Sequence, residues 1–432
     1  MKKQNKERNI ISIVGAGFGD EGKGKITDVY ASEWADAVVR ANGGCNAGHT
    51  INVNGTKLAL RALPSGVLNE NIENVICHGC VINLEELIDE INTVNDTIDF
   101  ELKLHISDRA NVITQYDIFM DKHEGKEIKT TGNGIGPCYA DKANRKGLRV
   151  CDLYKSVTEI ENILRNSSSF KYFQYATTCE YVLTDFKYTL TEFAKLLHEY
   201  GATIRNYVCD TAVLLNEYMQ QGKHILFEGS QAAMLDNTYG FYPYVTSSNP
   251  TTAGLSVGSG IAPQYFTNNI GIIKSYCTRV GGGPFITEFN GDLASFLRER
   301  GHEYGTVTGR PRRIGWFDCV LVKHGHRMNG YTSIALTLLD VLSGIDELKI
   351  CINYIDKDGK VLDSIPANSD ALNDVKPVYM TVPGWKDDIS KCKSYDELPA
   401  EARNYIETIE EQIGIPISLI SVGADRAQII KR

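Results

Sequence analysis

Apolar residues fall into short continuous runs that alternate with longer runs of helical spacing. Ile10–Val14 is a short apolar run, which predicts a buried strand. After a glycine-rich loop, apolar side chains recur at helical spacing from Ile26 to Ala37, which predicts an amphipathic helix. Similar short apolar runs predict further strands at Asn74–Cys77, Leu102–Ile106, His224–Phe227, Asn269–Ile273, Ser333–Leu339, Leu348–Tyr354 and Ile417–Val422.

Several of these runs are almost continuously apolar, which is typical of parallel strands covered on both faces. The section from about residue 155 to 223 is richer in helical periodicity and predicts an inserted helical layer. The chain has no internal repeat, no low-complexity linker and no break in composition. We therefore predict an α/β fold with a large, mostly parallel central sheet flanked by helices. We expect residues 1–432 to form one domain that includes the helical insertion.

Composition and charge exclude some classes of protein and argue against some kinds of binding partner. Of the 432 residues, 42% are hydrophobic and 23% charged, an ordinary globular mixture that excludes disordered and fibrous proteins. The net charge of −9 argues against binding to nucleic acid or to an anionic membrane surface. No apolar run approaches the roughly 18 residues of a membrane-spanning helix. The run near the N-terminus stops at Gly15, too early for a signal peptide. We expect a soluble, cytoplasmic protein.

The 11 cysteines follow no regular spacing. Cys77 and Cys80 form the only close pair, and no second pair follows them. Because a structural zinc site needs four ligands, we expect reduced thiols in a cytosolic interior instead of a metal centre.

Glycines dominate the segment Gly15–Lys25, between the first predicted strand and the first predicted helix. A phosphate group binds at such a place, because backbone N–H groups and the helix N-terminus supply positive potential. Residues from Gly17 to Lys23 match the P-loop pattern G-x-x-x-x-G-K, but Gly24 follows where a P-loop has Ser or Thr. Asp20 is therefore the candidate magnesium ligand of the loop. A plain structural turn is the alternative, which the charged residues of the loop disfavour.

Further motifs follow this loop in a fixed order along essentially the whole chain. They are Gly19-Asp20-Glu21-Gly22-Lys23-Gly24-Lys25, Asn46-Ala47-Gly48-His49-Thr50, Thr130–Pro137, Phe227-Glu228-Gly229-Ser230-Gln231, Tyr244–Asn249, Thr278-Arg279-Val280-Gly281 and Gly309-Arg310-Pro311-Arg312-Arg313. In this order the set resembles the adenylosuccinate synthetase family. One glycine loop alone would be weak evidence, whereas the ordered set is very specific.

The resemblance implies a ligase of AMP biosynthesis that joins IMP and L-aspartate at the expense of GTP, giving adenylosuccinate, GDP and phosphate. The carbonyl oxygen O6 of hypoxanthine is a poor leaving group. Removal of the N1 proton places negative charge on O6, which can then attack the γ-phosphorus to give 6-phosphoryl-IMP. The aspartate amine then displaces the phosphoryl group. This chemistry needs a base at N1, a donor at O6, Mg²⁺ on the triphosphate and cations at the phosphoryl oxygens.

By the same resemblance, Asp20 is the base at N1 and a magnesium ligand. His49 is the general acid at O6, and the carbonyl group of Gly48 is a second magnesium ligand. Lys23 and Gln231 complete the implied catalytic set. The IMP contacts that the resemblance implies are Asp20, Lys23, Asn46, Ala47, Gly48, His49, Thr131, Arg145, Gln231, Thr246 and Arg310.

Arg145 matches the arginine that reaches the IMP phosphate of a neighbouring subunit, which implies a homodimer with shared active sites. A second loop resembles the aspartate-binding loop of the family, and its two arginines could clamp a dicarboxylate. Its residues are Thr306, Val307, Thr308, Gly309, Arg310, Pro311 and Arg312. Arg312 would also face the GTP phosphates.

The resemblance also implies a GTP site. Its residues are Gly19, Asp20, Glu21, Gly22, Lys23, Gly24, Lys25, Arg312, Leu338, Leu339, Asp340, Ser421, Val422 and Gly423. The family usually has Thr-Lys-Leu-Asp where this chain has Thr337-Leu338-Leu339-Asp340. Asp340 could pair with the guanine N1 and N2 hydrogens, but the usual lysine beside the base is Leu338.

Smaller departures from the family pattern are Gly17-Phe18, Cys45, Asn133 and Ala232-Ala233. Two alternatives therefore stay open. One is a paralogous ligase that uses ATP or another purine monophosphate. The other is a GTP-binding switch, which would leave His49, Gln231 and the arginine loop unexplained.

Overall fold

A computed structural model describes residues 9–45, 49–53, 56–126, 130–178, 187–305, 309–362 and 364–432. Its strands are β1 Ile10–Gly15, β2 Ala37–Arg40, β3 His49–Val53, β4 Thr56–Leu60, β5 Glu73–Ile76, β6 Val81–Ile82, β7 Leu104–Ser107, β8 Asn111–Val112, β9 Val208–Cys209, β10 Ile225–Ala232, β11 Asn269–Lys274, β12 Cys277–Arg279, β13 Arg313–Gly315, β14 Phe317–Asp318, β15 Ser333–Thr337, β16 Glu347–Ile355, β17 Lys376–Pro383, β18 Ile417–Ser421 and β19 Ile429–Lys431. Its α-helices are α1 Lys23–Glu33, α2 Leu84–Thr97, α3 Gln115–Glu124, α4 Ile135–Ala143, α5 Val157–Asn166, α6 Ser168–Thr178, α7 Leu190–Ile204, α8 Thr211–Gln220, α9 Thr252–Ser259, α10 Asp292–Arg300, α11 Cys319–Asn329 and α12 Ala400–Ile413.

Within the described residues, ten strands form one sheet in the order β19-β18-β15-β11-β1-β10-β2-β5-β7-β9. All neighbouring strands are parallel except β18 and β19, which are antiparallel. The predicted fold class, a large and mostly parallel sheet flanked by helices, is confirmed. None of the described helices is long and apolar enough to cross a membrane.

Both faces of the sheet are buried, which explains the continuous apolar runs in the sequence. On one face Ile13 of β1 packs with Ile26 of α1 and Leu226 of β10. On the other face Val14 of β1 and Phe227 of β10 lie in a second cluster. A third apolar cluster joins α2, α3, α5, α6 and α7 to strands β5 and β7 of the sheet.

The predicted first helix ends earlier than its apolar spacing indicated. α1 ends at Glu33, and Ala37 begins strand β2 instead of extending the helix. The backbone N–H groups of Asp36 and Ala37 both donate to the carbonyl oxygen of His224, and this pairing starts β2 beside β10. The prediction was wrong here because sheet pairing outweighed local periodicity.

Two other predicted strands also differ in detail. The run Ser333–Leu339 forms a strand only as far as Thr337, because Leu338 turns the backbone into the left-handed region with φ +57°. The run Leu348–Tyr354 is a strand, but it lies in a separate sheet with β14 and β17. The described residues between 155 and 223 form four α-helices, together with the short strand β9, which pairs with β7 in the main sheet. The grouping of the whole chain into one domain stays a prediction.

The topology brings distant loops to one edge of the sheet. Because β1, β10, β11, β15 and β18 run parallel, the loops that follow their carboxyl ends meet at that edge. The glycine loop follows β1, Gln231 lies near the end of β10, and Leu338–Asp340 follows β15. The edge needs glycine at residue 15, where an added Cβ would lie 2.6 Å from the Cβ of Ala232.

Candidate active site

The glycine loop after β1 folds around the side chain of Glu21. The N–H groups of Gly17 and Gly19 donate to Glu21 Oε1 over 3.2 and 2.7 Å. Lys23 Nζ lies 2.6 Å from Glu21 Oε2, and the glutamate is only 3% exposed. Helix α1 begins directly after Gly22, whose φ of +82° lies in the left-handed region. Backbone N–H groups, a lysine and a helix N-terminus thus lie at one place, as an anion site requires, and in this structure the carboxylate of Glu21 occupies the lysine and two of the N–H groups.

Asp20 lies at the mouth of this loop. Its φ of +58° is left-handed, an uncommon conformation outside glycine, and its side chain is 39% exposed. Its Oδ2 atom lies 3.0 Å from Nε of Arg312. The structure therefore brings the predicted base together with one arginine of the predicted aspartate-binding loop.

Arg312 is held on its other side by a carboxylate that sequence reasoning missed. Its Nη1 donates to Oε2 of Glu303 over 2.7 Å, and Glu303 also accepts from Lys274 and Tyr276. Burial alone would raise the pKa of Glu303, but Lys274 and Arg312 together hold it below its ordinary value. In the sequence Glu303 ends a charged stretch, Arg298–Glu303, which reads as a solvated surface.

The second lysine of the glycine loop reaches the C-terminal part of the chain. Lys25 Nζ donates to Ser421 Oγ and to the carbonyl oxygen of Gly423, both over 2.8 Å. Burial lowers the pKa of Lys25 to about 8, against the opposing charge of Asp340. The residues predicted to surround the guanine base thus lie around one lysine of the phosphate loop.

A hydroxyl group ties the β15 end of this site to the glycine loop. Thr337 Oγ1 donates to the backbone oxygen of Glu21 over 2.7 Å. Leu338 is half-buried and follows in the left-handed turn, and Leu339 is fully buried in the core. Burial raises the pKa of Asp340, against the charges of Lys25 and Arg300. The segment that departs from the family pattern therefore lies directly beside the phosphate loop.

Gln231 adopts φ +56° near the end of β10 and accepts a hydrogen bond from Ser248 Oγ over 3.3 Å. Thr246, two residues before Ser248, donates its backbone N–H to the carbonyl oxygen of Leu235. Gly43 lies against the same glutamine, since an added Cβ there would lie 3.1 Å from Gln231 Oε1. The predicted IMP residues Gln231 and Thr246 therefore belong to one neighbourhood.

Thr131 precedes helix α4, Ile135–Ala143, and Arg145 follows its C-terminus. This nine-residue helix is roughly 14 Å long. Both residues are exposed, and Arg145 has φ +62° in the turn that follows the helix. The helix therefore separates these two predicted IMP residues along the chain.

Other predicted residues lie outside the described part of the chain. They are Asn46, Ala47, Gly48, Thr306, Val307 and Thr308, together with the side chain of His49. The described residues that flank the predicted aspartate-binding loop are joined by two backbone hydrogen bonds. The N–H of Gly309 donates to the oxygen of Gly305, and the N–H of Gly305 donates to the oxygen of Arg310. Arg310 and Pro311 are exposed.

Among the residues with described side chains, no group of three His, Cys, Asp or Glu could hold a metal ion. A site for Mg²⁺ does not need such a group, because this ion takes one or two protein oxygens and completes its shell with phosphates and water. Asp20, a partly exposed carboxylate at the mouth of the phosphate loop, fits that requirement.

Comparison with known proteins gives one family. The family model described as adenylosuccinate synthetase matches residues 12–430. The chain is similar to adenylosuccinate synthetase of Halothermothrix orenii, with 44% identity over 425 residues that cover 97% of this chain and 98% of that one. It is similar to the enzyme of Listeria innocua to the same extent, 44% over 423 residues, covering 97% of each chain.

Solved structures agree. The fully ligated adenylosuccinate synthetase of Plasmodium falciparum has a TM-score of 0.90 and 39% identity, over 98% of this chain and 100% of that one. A cyanophage S-2L succinoaminodeoxyadenylate synthetase, bound to dGMP and to dATP as an energy donor, has a TM-score of 0.59 and 18% identity, over 98% of this chain and 95% of that one. At that identity the second likeness concerns the fold alone.

Proposed function

The chain belongs to the adenylosuccinate synthetase family, and we propose that it joins IMP to L-aspartate at the expense of GTP, giving adenylosuccinate, GDP and phosphate. The observation that carries the proposal is the meeting of Asp20 with Arg312 at the mouth of the phosphate loop. A base for N1 and a cation for anionic substrate groups then lie within one ion-pair distance. Both come from motifs that the family shares.

In the proposed first step, Asp20 accepts the N1 proton of IMP, so that negative charge develops on O6. O6 attacks the γ-phosphorus of GTP, and the bond from that phosphorus to the bridging oxygen of GDP breaks. Lys23 at the start of α1 and the N–H groups of the loop stabilise the charge on the phosphoryl oxygens in this proposal, which requires that they exchange the carboxylate of Glu21 for the phosphoryl group. His49 donates to O6 in this proposal, from strand β3. The products of the step are 6-phosphoryl-IMP and GDP.

In the second step the amino group of L-aspartate attacks C6, and phosphate leaves with O6. Arg310 and Arg312 hold the substrate carboxylates, because a guanidinium group binds a carboxylate through two parallel N–H donors. Gln231 and Thr246 hold IMP from the end of β10 and the loop beyond it. The support for this grouping is the hydrogen bond of Gln231 to Ser248, two residues from Thr246.

We propose that Mg²⁺ binds through Asp20, with the carbonyl group of Gly48 as a second ligand. When bound, the ion neutralises charge on the triphosphate and polarises the γ-phosphorus. The partly exposed carboxylate of Asp20 supports this assignment.

The assignment of Arg145 supports a homodimer. Thr131 and Arg145 are both assigned to IMP, and helix α4 separates them along the chain. We propose that Arg145 serves the active site of a second copy, where its exposed guanidinium can reach. The free cysteines of the described residues, most of them buried, suit a reducing cytoplasm as the place of action.

One alternative retains the chemistry and changes the energy donor. Leu338 replaces the lysine that usually packs beside the guanine base, so a preference for ATP is the second candidate. Asp340 favours GTP, because a carboxylate can accept from the N1 and N2 hydrogens of guanine. Adenine does not present these two donors.

The experiment is a phosphate-release assay with Mg²⁺, GTP, IMP and L-aspartate, in which each component is omitted in turn and GTP is replaced by ATP. We expect release only with all components, and adenylosuccinate in equal amount. GTP hydrolysis indifferent to IMP and aspartate would contradict the proposal and favour a switch protein. Synthesis with ATP but not with GTP, in the presence of IMP and L-aspartate, would support the second candidate.

A further inference from the structure

Glu303 is a buried carboxylate to which the proposed chemistry gives no task. It is 0% exposed, and four donor contacts surround it. Lys274 Nζ lies 2.7 and 2.8 Å from its two oxygens, and Tyr276 donates to it over 2.7 Å. The fourth contact is with Arg312 Nη1, also over 2.7 Å. A buried charge with this many partners is costly to assemble, so its arrangement calls for an explanation.

The charges around Glu303 do not balance. Two cations, Lys274 and Arg312, face this one buried anion. The second anion near Arg312 is Asp20, which lies at the surface of the site. The buried part of the network therefore has one cation more than anions, and the balancing carboxylate at Arg312 is the partly exposed Asp20.

The two carboxylates hold Arg312 in different ways. The contact with Glu303 is a hydrogen bond with aligned donor and acceptor in a buried site. The contact with Asp20 spans 3.0 Å, but the Nε–H group does not point at the carboxylate oxygen, so it is an ion pair without a hydrogen bond. Asp20 is also 39% exposed, where water weakens the attraction. Arg312 is thus anchored on Glu303, and its contact with Asp20 can be exchanged.

The backbone strengthens the same anchor. The N–H of Arg312 donates to the oxygen of Glu303 over 2.9 Å, and Arg298 Nε donates to the oxygen of Arg312 over 3.0 Å. Glu303 and Arg312 therefore close the base of the loop that carries the proposed aspartate-binding residues. A shift of this pair would move both the guanidinium and the loop.

We propose that Glu303 is a positioning residue: it fixes Arg312 at the base of the aspartate-binding loop, so that the guanidinium can exchange Asp20 for an oxyanion of bound substrate without losing its place. This inference rests on the proposed function. The oxyanion is a carboxylate of L-aspartate or the γ-phosphate of GTP, which share the same recognition chemistry. Exchange frees Asp20 for its own task.

The test is Glu303→Gln, which keeps the shape and removes the charge. We expect the KM for L-aspartate, or for GTP, to rise on the order of 10- to 100-fold, because the guanidinium loses its place. A rise for aspartate identifies the carboxylate, and a rise for GTP identifies the γ-phosphate. The KM for IMP should stay within about twofold, since Glu303 does not act on the IMP residues.

The matched control is Glu288→Gln. Glu288 holds the neighbouring Arg313 over 2.8 Å, in a partly exposed pair that includes neither Asp20 nor Arg312. We expect this variant to stay within about twofold of the wild type in every KM. Binding of a fluorescent GTP analogue, measured without turnover, gives a second readout for both variants.

Coupling to Arg312 separates positioning from general stability. In an Arg312→Lys background, Glu303→Gln should raise the KM for L-aspartate or GTP by less than about a further twofold, because the group through which Glu303 acts is already changed. Equal losses in both backgrounds, or an unchanged KM for aspartate and GTP, would overturn the inference. If Glu303→Gln does not fold, Glu303→Asp keeps the charge and shortens the reach, and it should show the same rise in KM. Wild type without adenylosuccinate synthesis would contradict the proposed function instead, before any variant is compared.

Discussion

Lys25 Nζ lies 2.8 Å from the carbonyl oxygen of Gly423, which ties the phosphate loop to the segment between the last two strands of the main sheet. The same ammonium group donates to Ser421 and to the backbone oxygen of Gln428. The phosphate site and the proposed guanine site therefore share one lysine, and a change in its charge should affect both.

The first prediction concerns the pH dependence of stability. Burial lowers the pKa of Lys25 to about 8 from an ordinary value of 10.5, against the charges of Asp340 and Asp425. Between these values the unfolded chain binds more protons than the folded one, so this residue favours folding increasingly as pH rises from about 8 to about 10.5. Relative to Lys25→Met, the wild type should gain on the order of 1 to 3 kcal/mol over that range.

Urea denaturation of both proteins at several pH values measures this difference. Lys25→Arg is the control, because arginine keeps its charge throughout and should not show the gain. A constant difference between wild type and Lys25→Met would show that the lysine is not destabilised by burial.

The second prediction concerns the recognition of guanine. Asp340→Asn should raise the KM for GTP roughly 10- to 150-fold, because a charged acceptor for two N–H donors is lost. The same variant should gain activity with XTP, whose C2 carbonyl accepts from the new amide group. Steady-state kinetics with GTP, XTP and ATP test this. An unchanged preference for GTP would remove Asp340 from the base site.

The third prediction concerns Leu338, where the family usually has lysine. Leu338→Lys should lower the KM for GTP by about 2- to 10-fold, because a cation beside the base adds attraction to its π face. The backbone strain at φ +57° is common to both residues, so the comparison isolates the side chain. Leu338→Met is the apolar control and should match the wild type. A KM for GTP that does not fall would place the residue away from the base.

The fourth prediction concerns the shared active site. Arg145→Leu and Asp20→Asn should each abolish synthesis when pure. After the two are mixed and subunits exchange, half of the dimers are mixed and each holds one intact site, so activity should return to about one quarter of wild type. Wild-type monomers in analytical ultracentrifugation, or no recovery on mixing, would contradict the assignment of Arg145.

The sequence predicted the fold class because parallel strands buried on both faces leave a local signal. Runs such as Ile10–Val14 and Asn269–Ile273 have no polar face, and both are central strands of the sheet. Ala37 shows the limit, since its spacing fits the helix of Ile26 but its backbone pairs beside β10. Pairing with a strand far along the chain is invisible to local periodicity.

The residues of the candidate site that belong to sequence motifs were predictable. The residues that reach the site only through tertiary contacts were not. Asp20 and Arg312 belong to recognisable loops, and the structure adds only that they meet. Glu303, Lys274 and Tyr276 carry no motif, and their charged or aromatic side chains read as surface or core. Lys274 ends β11 and Tyr276 follows it, whereas Glu303 follows α10. Only the fold brings these separate parts of the chain into contact.

The most direct test of the proposed phosphoryl intermediate follows the oxygen atom O6. IMP labelled with oxygen-18 at position 6 is converted with GTP and L-aspartate, and the phosphate product is analysed by mass spectrometry. We predict that each phosphate carries one labelled oxygen, because O6 attacks the γ-phosphorus and leaves with it. Phosphate without the label, formed alongside adenylosuccinate, would contradict the phosphoryl intermediate and the roles proposed for Asp20 and Arg312.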